Sequence, residues 1–129
     1  MILHSVYCDF RSDVSGEERT QIFKDLFALC QKIDGFIAFD FSPNCDFEKK
    51  SQPYSDGFAI RFETQHALEV YAAHPTHIQL GQRLCDMCVG GADGLIVCRP
   101  LLALRLGVVS SRLRRRWGLS TRRRAICTD

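Results

Sequence analysis

The pattern of hydrophobic and polar residues over the first 98 positions predicts four strands. Residues 2–10 and residues 56–63 alternate with a period of two, which is typical of strands that are buried on one face. Residues 36–41 and 95–98 are shorter apolar segments that are bounded by turn-forming or polar stretches. We therefore predict a strand at each of these four positions.

Three helices are predicted between these strands, each with a recognisable start signal. Ser15–Glu18 fits a capping box, and the wide apolar face that follows it predicts a helix ending at Asp34–Gly35. A second helix, capped by Thr64, runs almost to Pro75. Proline cannot continue that helix but is favoured in the first turn of a new one, which predicts a third helix to about Val89.

The predicted order of elements is β-α-β-β-α-α-β, an α+β arrangement of the ferredoxin-like type. Its four-stranded antiparallel sheet would carry helices on one face only. The chain has too few helices to cover the other face, and a second copy of the same chain is the simplest cover. The sequence therefore predicts a homodimer.

Composition and charge divide the chain into two regions. The chain is 46% hydrophobic and 25% charged, which suits a globular protein, but its net charge of +2 conceals an asymmetry. Residues 1–99 carry nine Lys and Arg against fourteen Asp and Glu, a net charge of −5, and we predict one domain there. Residues 100–129 carry eight Arg against one Asp, a net charge of +7, around a single Trp117. We expect a flexible basic tail; contact with nucleic acid, an anionic membrane surface or the acidic body of the dimer is the alternative.

The expected location of the protein follows from the absence of targeting features in the sequence. The first residues lack the basic and apolar regions of a signal peptide, and no apolar run approaches the roughly 18 residues that span a bilayer. We therefore expect a cytoplasmic protein. The seven cysteines are then expected to be reduced, and their odd number argues against a fully paired set of disulfides.

The strongest candidate for chemistry is the segment His74-Pro75-Thr76-His77, which begins three residues after Tyr71. Imidazole is the side chain that most readily moves protons near neutral pH. His77 would lie in the first turn of the third helix, where the helix dipole favours the neutral, basic form. Tyr71 lies one turn before the break at Pro75, where it could hydrogen-bond this ring, and His4 lies on an apolar strand face. A purely structural alternative stays open, because a histidine at a helix break can cap the backbone and Tyr71 can be ordinary core.

A zinc site is a further alternative. His74, His77, Cys85 and Cys88 form an H-x2-H…C-x2-C pattern that resembles a zinc ligand set. However, Cys85 and Cys88 lie at i and i+3 on a predicted helix face, and buried cysteine commonly behaves as a small hydrophobic residue. We therefore expect neither a metal nor another cofactor.

Several of these segments resemble the Dabb family, the stress-responsive dimeric α/β-barrel proteins. The resemblance covers about residues 1–98. It rests on the strand with His4, on Tyr54-Ser55-Asp56, on Phe62-Glu63-Thr64 and above all on the run from Tyr71 to His77. It implies a dimeric α/β barrel, in which two four-stranded sheets face each other, and a pocket between the helices and the sheet of each subunit.

The resemblance also implies roles for individual residues. One plant member of the family cyclises a linear polyketide by an intramolecular aldol condensation. By resemblance to it, His77 is the general base, Tyr71 orients that base, and His4 shares the pocket. Asp56 stands where that enzyme has a further pocket histidine. We predict that the pocket is lined by Asp56, Phe58, Ile60 and Val6.

Three functions are compatible with these observations. The favoured one is a stress-associated homodimer that binds a small, largely apolar molecule. The second is a cofactor-independent enzyme of the cyclase or lyase type, in which His77 acts as general base on a carbonyl, polyketide-like substrate. The third is a heme- or oxygen-handling relative from the wider dimeric α/β-barrel superfamily. Fold alone does not decide among them.

Overall fold

The computed structural model describes residues 1–102, so the basic tail predicted around Trp117 lies outside the described residues. The order of the elements confirms the predicted β-α-β-β-α-α-β, with one additional 3-10 turn. In chain order the elements are β1 (Ile2–Cys8), α1 (Gly16–Cys30), β2 (Phe36–Pro43), β3 (Asp56–Phe62), α2 (Gln65–Ala73), α3 (Pro75–Asp86), the 3-10 turn (Gly91–Gly94) and β4 (Leu95–Cys98).

All four strands form one antiparallel sheet in the order β2-β3-β1-β4, which is the ferredoxin-like α+β fold that the sequence predicts. β1 lies inside the sheet, where His4 pairs with Ile60 of β3. On the other side of β1, the pairing with β4 continues beyond the strand end. The Leu102 N–H donates to the Met1 carbonyl at 2.9 Å, past the domain boundary predicted at residue 99.

The capping box forms as predicted, but α1 ends earlier than predicted. The Glu18 N–H donates to Ser15 Oγ at 3.1 Å, and the Ser15 N–H donates to the Glu18 carboxylate at 2.7 Å. α1 ends at Cys30, and the Ile33 N–H then turns back to the Cys30 carbonyl at 3.0 Å. Ile33 is buried although it lies past the helix. The apolar periodicity therefore extends beyond the last residue of α1 and does not indicate where the helix ends.

A short non-local pairing ends both β1 and α3 before their predicted limits. Phe10 and Cys88 form an antiparallel bridge, and the Val89 N–H donates to the Asp9 carbonyl at 2.8 Å. Because residues 87–89 pair with the chain that follows β1, they cannot continue α3. Phe10 and Cys88 are buried through this bridge, whereas Val89 is exposed.

The core lies between the helices and the inner face of the sheet, which carries Val6, Phe58 and Ile60. Phe58 stacks on Phe39 of β2, with centroids 5.4 Å apart and ring planes 5° apart. Phe23 of α1 packs on the same ring at 5.4 Å. Aromatic pairs in this range add stabilisation beyond that of the buried area. This apolar packing forms the surroundings in which the polar groups of the inner face lie.

The outer face of the sheet stays open within residues 1–102. Tyr7 and Ile96 are 45% and 41% exposed on this face. The Tyr7 ring lies across Gly57, where an added Cβ would approach it to 3.0 Å. A concavity of about 930 Å³ lies between the outer face and the loop that joins β2 to β3, with Ser51 and Tyr54 on its wall. Asp56 and Phe58, which were predicted to line the pocket, also border this concavity, whereas Val6 and Ile60 do not.

The helices of residues 1–102 include none with both the length and the apolar character needed to cross a bilayer.

Candidate functional site

His4 is a buried histidine on the inner face of the sheet, with 3% of its surface exposed. Its ring makes edge contacts with Phe58 and Tyr71, at centroid distances of 6.3 and 5.9 Å. The Nε–H of Arg99 donates to His4 Nδ1 at 3.2 Å. Because Nδ1 is an acceptor in this bond, the imidazole carries its proton on Nε2 and is neutral.

The surroundings of His4 keep it neutral over a wide pH range. Burial, followed by the charges of Arg99 and His77, lowers the pKa of His4 from 6.5 to about 4. A buried imidazolium would lose its hydration and would face a nearby guanidinium, so both effects act in the same direction. At neutral pH His4 is therefore a hydrogen-bond donor through Nε2.

Tyr71 of α2 is the centre of the candidate site and is only 1% exposed. Its ring packs against Phe62 at 5.4 Å and against His77 at 4.5 Å, measured between centroids. The Tyr71 hydroxyl is buried and has no hydrogen-bond partner within residues 1–102. Burial raises the pKa of Tyr71, so the phenol stays protonated. The hydrogen bond predicted between Tyr71 and His77 is not formed.

His77 lies in the first turn of α3, directly after the break at Pro75. Its Nδ1 is 3.0 Å from the Ala72 carbonyl oxygen. A carbonyl can only accept, so Nδ1 carries the proton and Nε2 holds the lone pair of the neutral ring. The backbone of α2, rather than Tyr71, thus determines the tautomer.

The pKa of His77 lies below its ordinary value, mainly because the ring is partly buried. The hydrogen bond to the Ala72 carbonyl acts in the opposite direction, and the charges of Arg99 and His74 lower the pKa further. The direction agrees with the one expected from a position at a helix start. The main cause differs, since burial outweighs the other contributions.

His74 has a structural role at the junction of α2 and α3. Its Nδ1 accepts a hydrogen bond from the Thr76 N–H at 3.1 Å, which caps the start of α3. The two histidines of the tetrapeptide therefore separate in role, because His74 caps a helix whereas His77 contacts Tyr71.

The predicted pocket-lining residues fall into two groups. Val6, Phe58 and Ile60 are buried on the inner face, where Val6 pairs with Phe58 and Ile60 pairs with His4. Asp56 begins β3, four residues from Ile60, which is roughly 13 Å along an extended strand. Its carboxylate pairs with Arg19 at 2.9 Å. The structure thus brings the three apolar residues to His4 and holds Asp56 apart from the histidines.

Arg99 belongs to the site but was not predicted from the sequence. It follows the last predicted strand, where neither periodicity nor a motif marks it. The signal that identifies it is the pairing register. Ser5 pairs with Cys98, so the next residues along the two antiparallel strands, His4 and Arg99, lie side by side.

The zinc alternative has no supporting geometry in the described part of the chain. Within residues 1–102, no three side chains of His, Cys, Asp or Glu come close enough together to hold a metal ion. Cys88 is buried at the bridge with Phe10 and lies beside Cys8. Hydrogen bonding to Cys88, followed by burial, raises the pKa of Cys8. The neighbour of Cys88 in the fold is thus Cys8, which is not part of the H-x2-H…C-x2-C pattern.

The fold and the site define a ferredoxin-like protein with one neutral imidazole on the inner face of its sheet, and with a phenol on α2 and a second neutral imidazole on α3. Residues 2–90 match the stress responsive A/B barrel domain, Dabb. This match covers more than half of the chain. The protein belongs to the Dabb family.

Similar proteins agree with this assignment. The stress-response A/B barrel domain-containing protein HS1 of Arabidopsis thaliana is 28% identical over 96 residues, which are 74% of this chain and 84% of the relative. A dimeric ferredoxin-like protein of unknown function from Jannaschia sp. CCS1 is 33% identical, with a TM-score of 0.72 over 78% of this chain and 97% of that one. A hydroxynitrile lyase from Passiflora edulis is 11% identical, with a TM-score of 0.65 over 83% and 95% of the two chains, and shows the fold alone.

Proposed function

We propose that this protein is a homodimer that binds a small, largely apolar molecule beside Tyr71, His77 and His4. The observation that carries the proposal is the Tyr71 hydroxyl, which is buried without a hydrogen-bond partner in the described part of the chain. Buried polar groups are almost always hydrogen-bonded, and an exception calls for an explanation. A bound ligand whose oxygen accepts a hydrogen bond from the Tyr71 hydroxyl would explain this exception.

The charges and the walls of the site support a ligand that is mostly apolar. The pKa values of His4 and His77 both lie below the ordinary value, so the two rings are neutral at pH 7. Val6, Phe58 and Ile60 supply buried hydrocarbon on the sheet face that carries His4. A ligand with a carbonyl or hydroxyl group and an apolar body matches both properties.

The open outer face supports the homodimer. Tyr7 and Ile96 are large side chains that are more than 40% exposed on a sheet face without a covering helix in residues 1–102. The relative from Jannaschia is described as dimeric. A second copy of the chain would bury this face against its own equivalent, as an isologous interface requires.

The binding site is tested with a neutral ketone, 4-phenylbutan-2-one, added to the full-length protein with isotope-labelled histidines. We expect the ring signals of His77 and His4 to shift as the ketone binds. Tyr71→Phe removes only the hydroxyl and should weaken binding by about tenfold, the loss of one hydrogen bond from a buried group. Tyr54→Phe is the matched control on the outer concavity and should leave the affinity unchanged.

The result can contradict the proposal in two ways. If the ketone shifts neither histidine, the site does not bind small apolar molecules of this kind. If Tyr54→Phe weakens binding and Tyr71→Phe does not, the ligand binds in the concavity on the outer face.

A second candidate function, general-base catalysis on a carbonyl compound, is favoured by the tautomer of His77. The hydrogen bond between its Nδ1 and the Ala72 carbonyl leaves Nε2 as the basic nitrogen, and the lowered pKa keeps the ring unprotonated at neutral pH. His77→Ala should then abolish turnover of a carbonyl substrate while the ketone still binds. If the substitution changes affinity only, the protein is a binding protein.

A cytoplasmic location is part of the proposal. It is supported by Cys8, Cys30 and Cys88, which are buried as free thiols. Fractionation of cells that express the tagged full-length chain tests it, and recovery in a secreted fraction would contradict it.

A further inference from the structure

Arg99 lies on the same face of the sheet as His4, directly across from it. The Leu3 N–H donates to the Pro100 carbonyl at 3.2 Å, and Ile2 forms a bridge with Leu101. The β1–β4 register therefore continues past the end of β4. The bond of 3.2 Å from Arg99 Nε to His4 Nδ1 agrees with this position.

The positive charge of Arg99 has no counter-ion in the described part of the chain. The ion pairs within residues 1–102 join other cations to their carboxylates, and the one hydrogen bond of Arg99 goes to a neutral imidazole. Its other close ionisable neighbours, His77 and Tyr71, are also neutral at pH 7. The Arg99 guanidinium therefore carries a permanent positive charge in the site. Among residues 1–102, no carboxylate pairs with it.

The same edge of the sheet is open to solvent and partly apolar. Val97 pairs with Val6, so it lies on the inner face, yet it is 46% exposed. Leu101 follows two positions after Arg99 on the same side of the chain and is also exposed. Within residues 1–102, the helices therefore leave the β4 edge of the inner face uncovered. A molecule that reaches Tyr71 from this edge passes an apolar wall and one cation.

We propose that the ligand of this site is an apolar carboxylic acid and that Arg99 binds its carboxylate. The proposal rests on the proposed function and names the ligand class. Because Nε–H is engaged by His4, the two terminal nitrogens, Nη1 and Nη2, are available as donors. Paired N–H groups of a guanidinium suit the two oxygens of a carboxylate, and such bonds are stronger than neutral ones. The apolar body of the acid would extend past His4 toward Tyr71 and His77.

The proposal is tested on the full-length protein with three probes that each carry a phenyl group at the end of a four-carbon chain. They are 4-phenylbutanoate, 4-phenylbutanamide and 4-phenylbutan-2-one. Affinities are measured at pH 7 from the shifts of the His77 ring signals. We expect the wild type to bind the acid at least about tenfold more tightly than the amide, the effect of one hydrogen bond between charged partners. This comparison needs no variant and is independent of any effect of mutation on folding.

The variants then assign the preference to Arg99. Arg99→Gln should remove the preference for the acid. The affinity for the amide should stay within about twofold of the wild-type value, because the neutral amide forms no ion pair with the guanidinium. Arg99→Lys should retain part of the preference, because a point charge attracts the anion without the paired geometry. Lys24→Gln removes the same charge from an exposed position on α1 and should change nothing.

The possible outcomes separate this proposal from the proposed function. Equal binding of acid and amide by the wild type overturns the role of Arg99 while the site remains a binding site. A preference for the acid that survives in Arg99→Gln also overturns it. If none of the three probes shifts His77, the proposed function fails and the ligand class fails with it.

Discussion

The imidazole of His77 lies against the Tyr71 ring, with centroids 4.5 Å apart, yet it is hydrogen-bonded to the Ala72 carbonyl rather than to the Tyr71 hydroxyl. His77 and Tyr71 are therefore in ring contact but do not form the hydrogen bond that their positions in the sequence predict. His77 already has the partner that fixes its tautomer, whereas the Tyr71 hydroxyl has no hydrogen-bond partner among residues 1–102. The proposed role of Tyr71 is therefore to donate a hydrogen bond to the ligand itself rather than to orient His77.

Tyr71→Phe should stabilise the ligand-free protein. A buried hydroxyl without a partner costs free energy of roughly 1–3 kcal/mol relative to its hydrated state, and phenylalanine fills the same volume without that cost. We expect the free energy of unfolding in urea to rise by about 1 kcal/mol. Tyr54→Phe on the outer concavity is the control and should change it by less than about 0.5 kcal/mol. A loss of stability in Tyr71→Phe would mean that the hydroxyl is already satisfied in the folded protein.

His4 should make the folded protein less stable as the pH falls through the mildly acidic range. Its folded-state pKa of about 4 lies below the unfolded value of 6.5, so the unfolded chain binds the proton first. The contribution of neutral His4 is therefore complete above pH 6.5 and is lost as the pH falls toward about 4. It amounts to about 3 kcal/mol. Urea unfolding at a series of pH values should give a smaller slope for His4→Gln than for the wild type over this range.

Arg99→Gln provides a direct check on the same histidine. The guanidinium is the second cause of the lowered pKa of His4, after burial. The substitution should raise the pKa of His4 in an NMR titration but leave it below 6.5, because burial remains. If the pKa does not change, the contact between Arg99 and His4 is absent in solution.

Local patterns in the sequence were sufficient to predict the elements. The capping box at Ser15 and the break at Pro75 each depend on interactions within a few residues, and both form as predicted. The limits of α3 and β1 depend instead on the bridge between Phe10 and Cys88, which are 78 positions apart in the chain. No local pattern contains that pairing, so the predicted ends were wrong.

In the candidate site too, local features could be predicted from the sequence and contacts between distant segments could not. The sequence could place His77 after Pro75 because one helix turn determines that position. It could not show that His77 binds the Ala72 carbonyl, because the bond depends on how α2 and α3 meet. Arg99 joins His4 only through the sheet register, and the ion pair between Arg19 and Asp56 joins residues 37 positions apart. Such contacts are properties of the packed fold and not of a segment.

Asp56→Asn should weaken the fold and not the binding of ligand. The Arg19–Asp56 pair is mostly buried, with side chains 22% and 10% exposed, and the substitution leaves the guanidinium without its carboxylate. Arg19 keeps its hydrogen bonds to the Val14 and Arg11 carbonyls, so we expect a loss of about 2 kcal/mol rather than the full cost of a buried charge. The affinity for 4-phenylbutan-2-one, measured below saturation, should be unchanged. A weaker affinity at full folding would restore Asp56 to the ligand site.

Two neighbouring residues of β4 test which face of the sheet forms the dimer. Ile96 faces outward and Val97 faces inward, and the two side chains are 41% and 46% exposed. Ile96→Glu would place two like charges in the proposed interface without hydration, and it should convert the dimer to monomers in light scattering after size exclusion. Val97→Glu adds the same charge to the same strand on the other face and should leave the dimer intact. If both variants stay dimeric, the outer face is not the interface; if Val97→Glu alone dissociates, the copies meet at the inner edge beside Arg99.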